Sequence, residues 1–249
     1  MERIHPVARR ISKGRMTVEG KGISHSRSTV DPAISNYDKL VAETALLGIG
    51  DFEPLDFMVD TAQLEQELAV FSNDWVDYLP RTDRPNNRKG LSLTTLDIDG
   101  WDHRSLPSLP EAAQALGRPV GDSAFTKPTP LYDACTSLHP LFQEFAPVGR
   151  SFFVKCNTGG YFVPHRDSPG FPRREFRLAC FVKNVAPLQY DWWMDDKKIN
   201  IEQGRVYYVN TKKTHRTISW TDDSIHLIMN IPFTVANVNK VIAHLQHRH

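Results

Sequence analysis

The chain has 249 residues, 40% of them hydrophobic, and a formal net charge of +1. This length suits one large domain, and the balanced charge gives no global field that would attract nucleic acid or a membrane. The apolar runs are far shorter than the roughly 20 residues that span a bilayer. The three cysteines, Cys135, Cys156 and Cys180, form neither a CxxC pair nor a disulfide framework. We therefore expect a cytoplasmic protein in a reducing compartment, with no nucleic-acid or membrane partner.

The first 35 residues differ from the rest in composition. Residues 1–30 carry seven Lys or Arg against two Asp or Glu, with few large apolar side chains. This predicts a flexible or surface-draped basic arm. The alternatives are a binding arm for an anionic partner and a transit peptide, which Glu2 and Glu19 would interrupt. Residues 36–249 are expected to form a single domain, with a wrapping part (36–149), a β-rich core (150–232) and a C-terminal helix (233–249).

The wrapping part shows scattered signals of helices and strands. Asp60 and Gln63 predict a capping box at the start of a helix that continues through Leu64, Leu68 and Phe71. Further elements are predicted as a strand over 91–96, a short helix over 111–116 and a helix over 133–145. The segment 81–90 carries four Lys or Arg. We interpret it as a solvated loop, with a carboxylate-binding rim as the alternative.

From residue 150 onward the sequence changes to short strands separated by turn residues. Strands are predicted at 151–156, 161–165, 175–183, 188–194, 199–201, 205–210, 214–220 and 224–231, and a helix at 237–245. Asn157-Thr158-Gly159-Gly160 is a turn signal of the hairpin kind. Short strands at this spacing predict a mostly β protein with flanking helices, in which a double-sheet jelly roll offers an open mouth for a ligand.

The stretch Val163-Pro164-His165-Arg166-Asp167 predicts a metal site. His165 and Asp167 are two residues apart, so their side chains point the same way on a strand. His215, at the end of another apolar run, is the best candidate for a third ligand. Two His and one carboxylate form the facial triad of non-haem Fe(II) oxygenases, which leaves the other coordination positions open.

The letters His165-Arg166-Asp167 also open the catalytic loop of protein kinases. That loop requires an Asn five residues after the Asp, where this chain has Pro172, and no glycine-rich loop precedes it. The kinase interpretation is therefore excluded.

Four runs in order, FVPHRD, FRLACFV, EQGRVYYVNTKKTH and SIHLIMNIP, resemble the aspartyl/asparaginyl β-hydroxylase family and the related cis-proline hydroxylases. The resemblance covers roughly residues 150–232. It implies a cupin-like double-stranded β-helix that binds Fe(II), 2-oxoglutarate and O₂. His165, Asp167 and His215 match the iron ligands and catalytic centre, and Gly204 matches a small residue in the turn before the strand that leads to His215.

The resemblance also bears on the residues that hold 2-oxoglutarate. Arg177 matches an Arg that helps to hold this co-substrate, and it shares an apolar strand face with Ala179 and Phe181. The family usually has a further Arg about ten residues after the distal His, where this chain has Ser224, with His226 two residues on. We therefore expect Arg177 to bind 2-oxoglutarate, with His226, Ser224 or Lys183 as candidates to assist.

Other polar residues are candidates for the same cavity or its rim: Lys155, Asn157, Asn230, Arg166 and Arg174. For Arg166 and Arg174 the alternatives are contact with a substrate carboxylate and exposure to solvent. One of the adjacent Trp192 and Trp193 should point into the sheet packing and the other outward.

The resemblance implies an enzyme that hydroxylates a C–H bond of an amino acid, a small metabolite or a peptidyl side chain, with succinate and CO₂ as co-products. Two alternatives stay open. One is a cupin-type metal-binding jelly roll with another reaction, and the other is a non-catalytic barrel that no longer binds 2-oxoglutarate. The sequence leaves the oligomeric state undetermined.

Overall fold

The computed structural model describes residues 36–78, 87–167 and 175–245. The basic arm, most of the 81–90 segment and the loop that contains Arg174 lie outside these residues. The helices are α1 (Asn36–Ile49), α2 (Thr61–Ala69), α3 (Leu109–Leu116), α4 (Pro130–Ala134), α5 (His139–Phe145) and α6 (Val235–Ala243). The strands are β1 (Phe52–Met58), β2 (Val76–Asp77), β3 (Arg88–Ser92), β4 (Thr94–Thr95), β5 (Lys127–Pro128), β6 (Ser151–Cys156), β7 (Tyr161–His165), β8 (Glu175–Lys183), β9 (Tyr190–Met194), β10 (Lys197–Ile199), β11 (Arg205–Val209), β12 (His215–Ser219) and β13 (Ser224–Pro232).

Two antiparallel sheets form the body of the fold. The larger has the strand order β1-β11-β8-β13-β6-β3-β2, and the smaller has the order β10-β9-β12-β7. From β6 onward, β6, β8, β11 and β13 lie in the larger sheet, while β7, β9, β10 and β12 lie in the smaller one. This is the double-stranded β-helix, or jelly roll, so the predicted fold class is confirmed.

Both faces of the larger sheet are buried, because one faces the helices and the other faces the smaller sheet. Along β8, Leu178 and Cys180 pack with the helices, whereas Ala179 and Phe181 pack between the sheets. Such double burial explains why this strand is an almost continuous apolar run. Trp192 points into the space between the sheets, and Trp193 lies on the other face of β9, under the Arg216 guanidinium. The expectation for the two tryptophans is therefore confirmed.

The wrapping part differs most from the prediction. It adds β1 to one edge of the larger sheet and β3 and β2 to the other, and neither α1 nor β1 was predicted. The predicted helix 133–145 is wrong as one element. It is divided into α4, a short 3-10 helix and α5, because Cys135 has a non-helical backbone (φ −79°, ψ 67°).

The helix caps of the wrapping part differ from the prediction. Asp60 does cap α2 by accepting from the Gln63 backbone N–H, but the Gln63 side chain donates to Glu67 and Thr136, so the reciprocal half of the capping box is absent. A complete capping box instead joins Ser108 and Glu111 at the start of α3.

The turn at 157–160 and the strand predicted at 91–96 also differ from expectation. The turn forms, but it joins β6 and β7 of different sheets, so no hairpin results. The 91–96 strand is divided between β3 and β4, which lie in separate sheets. Both differences depend on how the sheets stack, which local turn chemistry does not determine.

The turn before β11 requires a glycine at position 204. Its φ is +82°, and a Cβ added there would lie 2.8 Å from the Val59 carbonyl oxygen. The backbone of Gly204 also bonds to Phe181 and Val59, which joins the turn to β8 and to the end of β1. This close approach of three segments leaves no space for a side chain.

In the part of the chain that the structure describes, no helix is both long and apolar enough to cross a membrane. All three cysteines are free and buried. Burial raises the pKa of each thiol to about 12, so none of them is a reactive nucleophile.

Candidate metal centre

Two neighbouring strands of the smaller sheet bring the predicted ligands together. His165 ends β7 and His215 begins β12, and the two residues are directly paired in the antiparallel register. Asp167 lies two residues beyond β7, where its backbone N–H donates to the Thr211 carbonyl at 2.9 Å. That hydrogen bond ties the Asp167 segment to the loop before His215, so residues 48 positions apart meet at one sheet end.

The three side chains form a compact donor group. Their nearest ligand atoms all lie within 4.8 Å of one another. Asp167 Oδ1 is 3.4 Å from His165 Nε2, and Asp167 Oδ2 is 3.8 Å from His215 Nε2. Donors about 2.1 Å from a metal ion and at right angles to each other are about 3 Å apart. A small contraction would therefore place all three on one face of a single ion.

Backbone carbonyls orient both imidazoles. His165 Nδ1 lies 2.7 Å from the Val163 carbonyl oxygen, and His215 Nδ1 lies 3.0 Å from that of Lys213. A carbonyl only accepts hydrogen bonds, so each Nδ1 must carry the proton and each Nε2 keeps its lone pair for a metal.

Arg177 balances the charge of the Asp167 carboxylate. Burial acts to raise the pKa of Asp167, but the Arg177 guanidinium and the hydrogen bond with His165 outweigh it and hold the pKa well below its usual range. Arg177 Nη1 donates to Asp167 Oδ2, and Nε and Nη2 donate to Asn230 Oδ1 at 3.3 and 3.1 Å. β8 is a central strand of the larger sheet, so Arg177 is not a surface-facing residue on an edge strand.

The two imidazoles are in different electrostatic environments. The hydrogen bond with Asp167 raises the pKa of His165 above its ordinary value. Burial lowers the pKa of His215. Without a metal, His165 is therefore the ligand that holds a proton to higher pH.

A cavity of about 280 Å³ opens beside the donor group. Trp192 stacks on His215 with ring centroids 6.0 Å apart, and Phe162 stacks on His165 at 6.1 Å. The remaining lining residues are Tyr78, Leu109, Asp122, Arg150, Phe152, Arg166, Asp167, Arg177, Thr217, His226 and Ile228. A molecule in this cavity would lie beside the three candidate metal ligands and against an aromatic wall.

Only some of the residues expected to hold 2-oxoglutarate line the cavity. Arg177 and His226 line the cavity, whereas Ser224 is not among its lining residues. The Ser224 hydroxyl bonds to Ser219 Oγ and the Asn184 carbonyl, both at 2.8 Å. His226 is 1% exposed, and burial together with the Arg177 charge lowers its pKa to about 3. His226 therefore contributes a neutral imidazole to the cavity wall, beside the charged Arg177.

The other candidates lie mostly elsewhere. Lys155 pairs with Asp223 at 3.6 Å, and Lys183 pairs with Glu65 at 3.7 Å, so both cations have partners outside the cavity. Asn157 is exposed and Arg166 lines the cavity from an exposed position. Asn230 reaches the site through its contact with Arg177.

Sequence reasoning missed two charged cavity residues, Arg150 and Asp122. Arg150 directly precedes β6, and a charged residue at the start of an apolar run could have attracted attention, as Arg177 did. Asp122 belongs to a 3-10 helix in the irregular segment before residue 130, where no periodic pattern marks it.

No protein-family model matches the chain, and the search of curated proteins gave no match. Among solved structures, a prolyl hydroxylase from Trichoplax adhaerens, in complex with a hypoxia inducible factor oxygen degradation domain peptide fragment, is similar at 9% identity and a TM-score of 0.43. That similarity covers 84% of this chain and 95% of the other. A Pseudomonas putida prolyl-4-hydroxylase is similar at 10% identity and a TM-score of 0.42, covering 79% of this chain and 98% of the other. KdgF from Halomonas sp. is similar at 14% identity and a TM-score of 0.27, covering 34% of this chain and 69% of the other. Because these similarities are weak, we infer the chemistry of the site only from its own side chains.

Proposed function

We propose that this protein is an Fe(II)- and 2-oxoglutarate-dependent dioxygenase that hydroxylates a C–H bond. The observation that carries the proposal is the facial arrangement of His165, Asp167 and His215 at the wall of a cavity. In the described ranges no fourth His, Cys, Asp or Glu joins this group. The three protein donors would therefore occupy one side of a bound ion and would leave its other side open to the cavity, as this chemistry requires.

The donor set suits Fe(II). Two neutral imidazoles and one carboxylate are ligands that this ion accepts readily, and the set carries a single negative charge. The Arg177 guanidinium keeps Asp167 ionised, and the hydrogen bonds of Nδ1 to the Val163 and Lys213 carbonyls leave both Nε2 lone pairs free for a metal ion. The protein thus supplies a pre-oriented ligand set.

The cavity has polar groups for an oxo acid. We assign Arg177 and His226, which line the cavity, to the binding of 2-oxoglutarate. Ser224 does not line the cavity, so we do not assign it to this role. A buried carboxylate requires a paired cation, and Arg177 provides one beside the metal ligands. His226 acts only as a neutral hydrogen-bonding group, because burial lowers its pKa.

The bound iron and 2-oxoglutarate would supply the oxidising chemistry, in which O₂ is consumed and succinate and CO₂ are released. The chain's own side chains hold the metal, keep the ligand carboxylate charged and exclude water. Phe152, Phe162 and Trp192 give the cavity an apolar wall, which limits water beside the reacting centre.

An anaerobic titration tests the proposal. Fe(II) followed by 2-oxoglutarate should produce a visible charge-transfer band in the native protein, and air should then give succinate. His165→Ala and Asp167→Ala should abolish the band, while His103→Ala, an exposed His outside the group, should retain it. Tight metal binding without the band would contradict the proposal and favour a metal-binding jelly roll with another reaction.

A further inference from the structure

Arg150 and Asp122 form a pair of opposite charges on the cavity wall that the proposed function does not use. The Arg150 backbone N–H donates to the Asp122 carbonyl at 2.8 Å, which holds the two residues side by side. Arg150 Nη1 lies 3.9 Å from Asp122 Oδ1, beyond hydrogen-bond distance. Both side chains line the cavity that contains the metal ligands.

Arg150 is buried and incompletely satisfied. It is 6% exposed, and its Nε is sealed from solvent without a hydrogen-bond partner. Among the described residues, its only side-chain hydrogen bond runs from Nη2 to the Pro107 carbonyl at 2.6 Å. The guanidinium lies 4.8 Å from the centre of the Phe152 ring and 5.6 Å from that of the Phe125 ring. Nε is enclosed by protein, so the donors left for a ligand are those of Nη1, which makes no hydrogen bond to a described residue. A buried guanidinium with such a free donor favours a carboxylate as its ligand.

Asp122 is likewise without compensation from hydrogen bonds. Burial raises the pKa of Asp122, although Arg177 and Arg150 act to lower it. No described residue donates a hydrogen bond to its side chain, so the carboxylate would gain from a cationic donor. Asp122 and Arg150 line the same cavity as the three candidate metal ligands, so a molecule bound by the pair would lie in the cavity beside them.

We infer that Arg150 and Asp122 bind the carboxylate and the ammonium group of a free α-amino acid, which is the substrate. This inference rests on the proposed function and narrows its substrate class. The two charges of an amino acid are one carbon apart, and they meet two protein charges that are also adjacent. A residue inside a peptide chain has neutral amides in place of both charges, so it would leave Arg150 and Asp122 unmatched.

A simple carboxylate fits the pair less well. A dicarboxylate bound at Arg150 would bring its negative charge beside the Asp122 carboxylate without an ammonium group to balance it, so the dicarboxylate and Asp122 would repel each other. The two kinds of ligand therefore respond to loss of the Asp122 charge in opposite directions. Asp122→Asn should weaken the binding of an amino acid and strengthen the binding of 2-oxoglutarate at this position.

Calorimetric titration of the full-length protein with the twenty proteinogenic amino acids, after a thermal-shift screen, tests the inference. At least one should bind, and its N-acetyl and carboxamide derivatives should each bind at least tenfold more weakly. Asp122→Asn should weaken binding of the parent amino acid at least tenfold, and Arg150→Lys should do the same. The matched controls are Asp102→Asn and Arg104→Lys, because that pair is about half exposed, at 55% and 53%, and lies outside the cavity lining.

Three results would overturn the inference: no amino acid binds, the blocked derivatives bind equally well, or Asp122→Asn leaves binding unchanged or strengthens it. If Arg150→Lys does not fold, the Asp122→Asn comparison decides alone. The charge-transfer band distinguishes the two proposals. A band without amino-acid binding would refute only the substrate inference. Amino-acid binding without a band would refute the oxygenase, and with it the role of the amino acid as substrate, and would leave Arg150 and Asp122 as an amino-acid-binding pair.

Discussion

Replacing Arg177 by methionine should destabilise the metal-free protein much more than the metal-bound protein. The side chains of Arg177 and Asp167 are 16% and 28% exposed and form an ion pair. Removing one member of a buried pair typically costs about 3–5 kcal/mol, because the other charge remains buried without a partner. The partial exposure of Asp167 places the expected loss near the lower end, at about 3 kcal/mol.

A divalent ion should recover most of that loss. It would bring positive charge to the same carboxylate that Arg177 neutralises, so the variant should gain more stability from the metal than the native protein does. For a chain of this size, about 3 kcal/mol corresponds to a fall in melting temperature of roughly 6–12 °C. Thermal unfolding with and without Co²⁺ or Fe(II) under anaerobic conditions measures both quantities.

The matched control is Arg104→Met, which removes an exposed pair with Asp102 and should change stability by less than about 1 kcal/mol. Equal losses in the two variants would contradict the interpretation of a buried, coupled pair. A loss in Arg177→Met that the metal does not recover would indicate that Arg177 matters through Asn230 and packing, not through the Asp167 charge.

Three further predictions concern the metal site and the scaffold. As the pH is lowered, metal affinity should begin to fall at a higher pH than for an ordinary histidine site. The reason is the raised pKa of His165, since a proton must leave Nε2 before Nε2 can bind a metal. Competition with a chelator across about pH 5–8 measures the affinity, and an affinity that does not change with pH would contradict the prediction. Gly204→Ala should destabilise by more than about 1 kcal/mol, because its Cβ would clash with the Val59 carbonyl at a positive φ; denaturant unfolding would show it, and native stability would refute it. Asp60→Ala should cost about 1 kcal/mol through loss of the cap on the Gln63 N–H, whereas Asp60→Asn should cost less; the same unfolding assay compares the two, and equal losses would count against a capping role.

The sequence alone indicated most strands of the jelly roll and the group of three candidate ligands, although the strand predicted at 199–201 lies at Lys197–Ile199. Period-two alternation and turn residues mark strands locally, because they depend on the backbone and on neighbours two residues away. His165 and Asp167 are candidate ligands at the end of one strand, so their convergence follows from their spacing alone. His215 required only that a second strand end lie at the same edge of the sheet, which the jelly roll provides.

Only the tertiary structure decided what surrounds those ligands. The sequence could not show that Arg177 reaches Asp167, that His226 lies in the cavity while Ser224 does not, or that Asp122 comes from the wrapping part to meet Arg150. These contacts join segments that no periodic pattern relates. They arise from the stacking of the two sheets and from the way the N-terminal half extends the larger sheet at both edges.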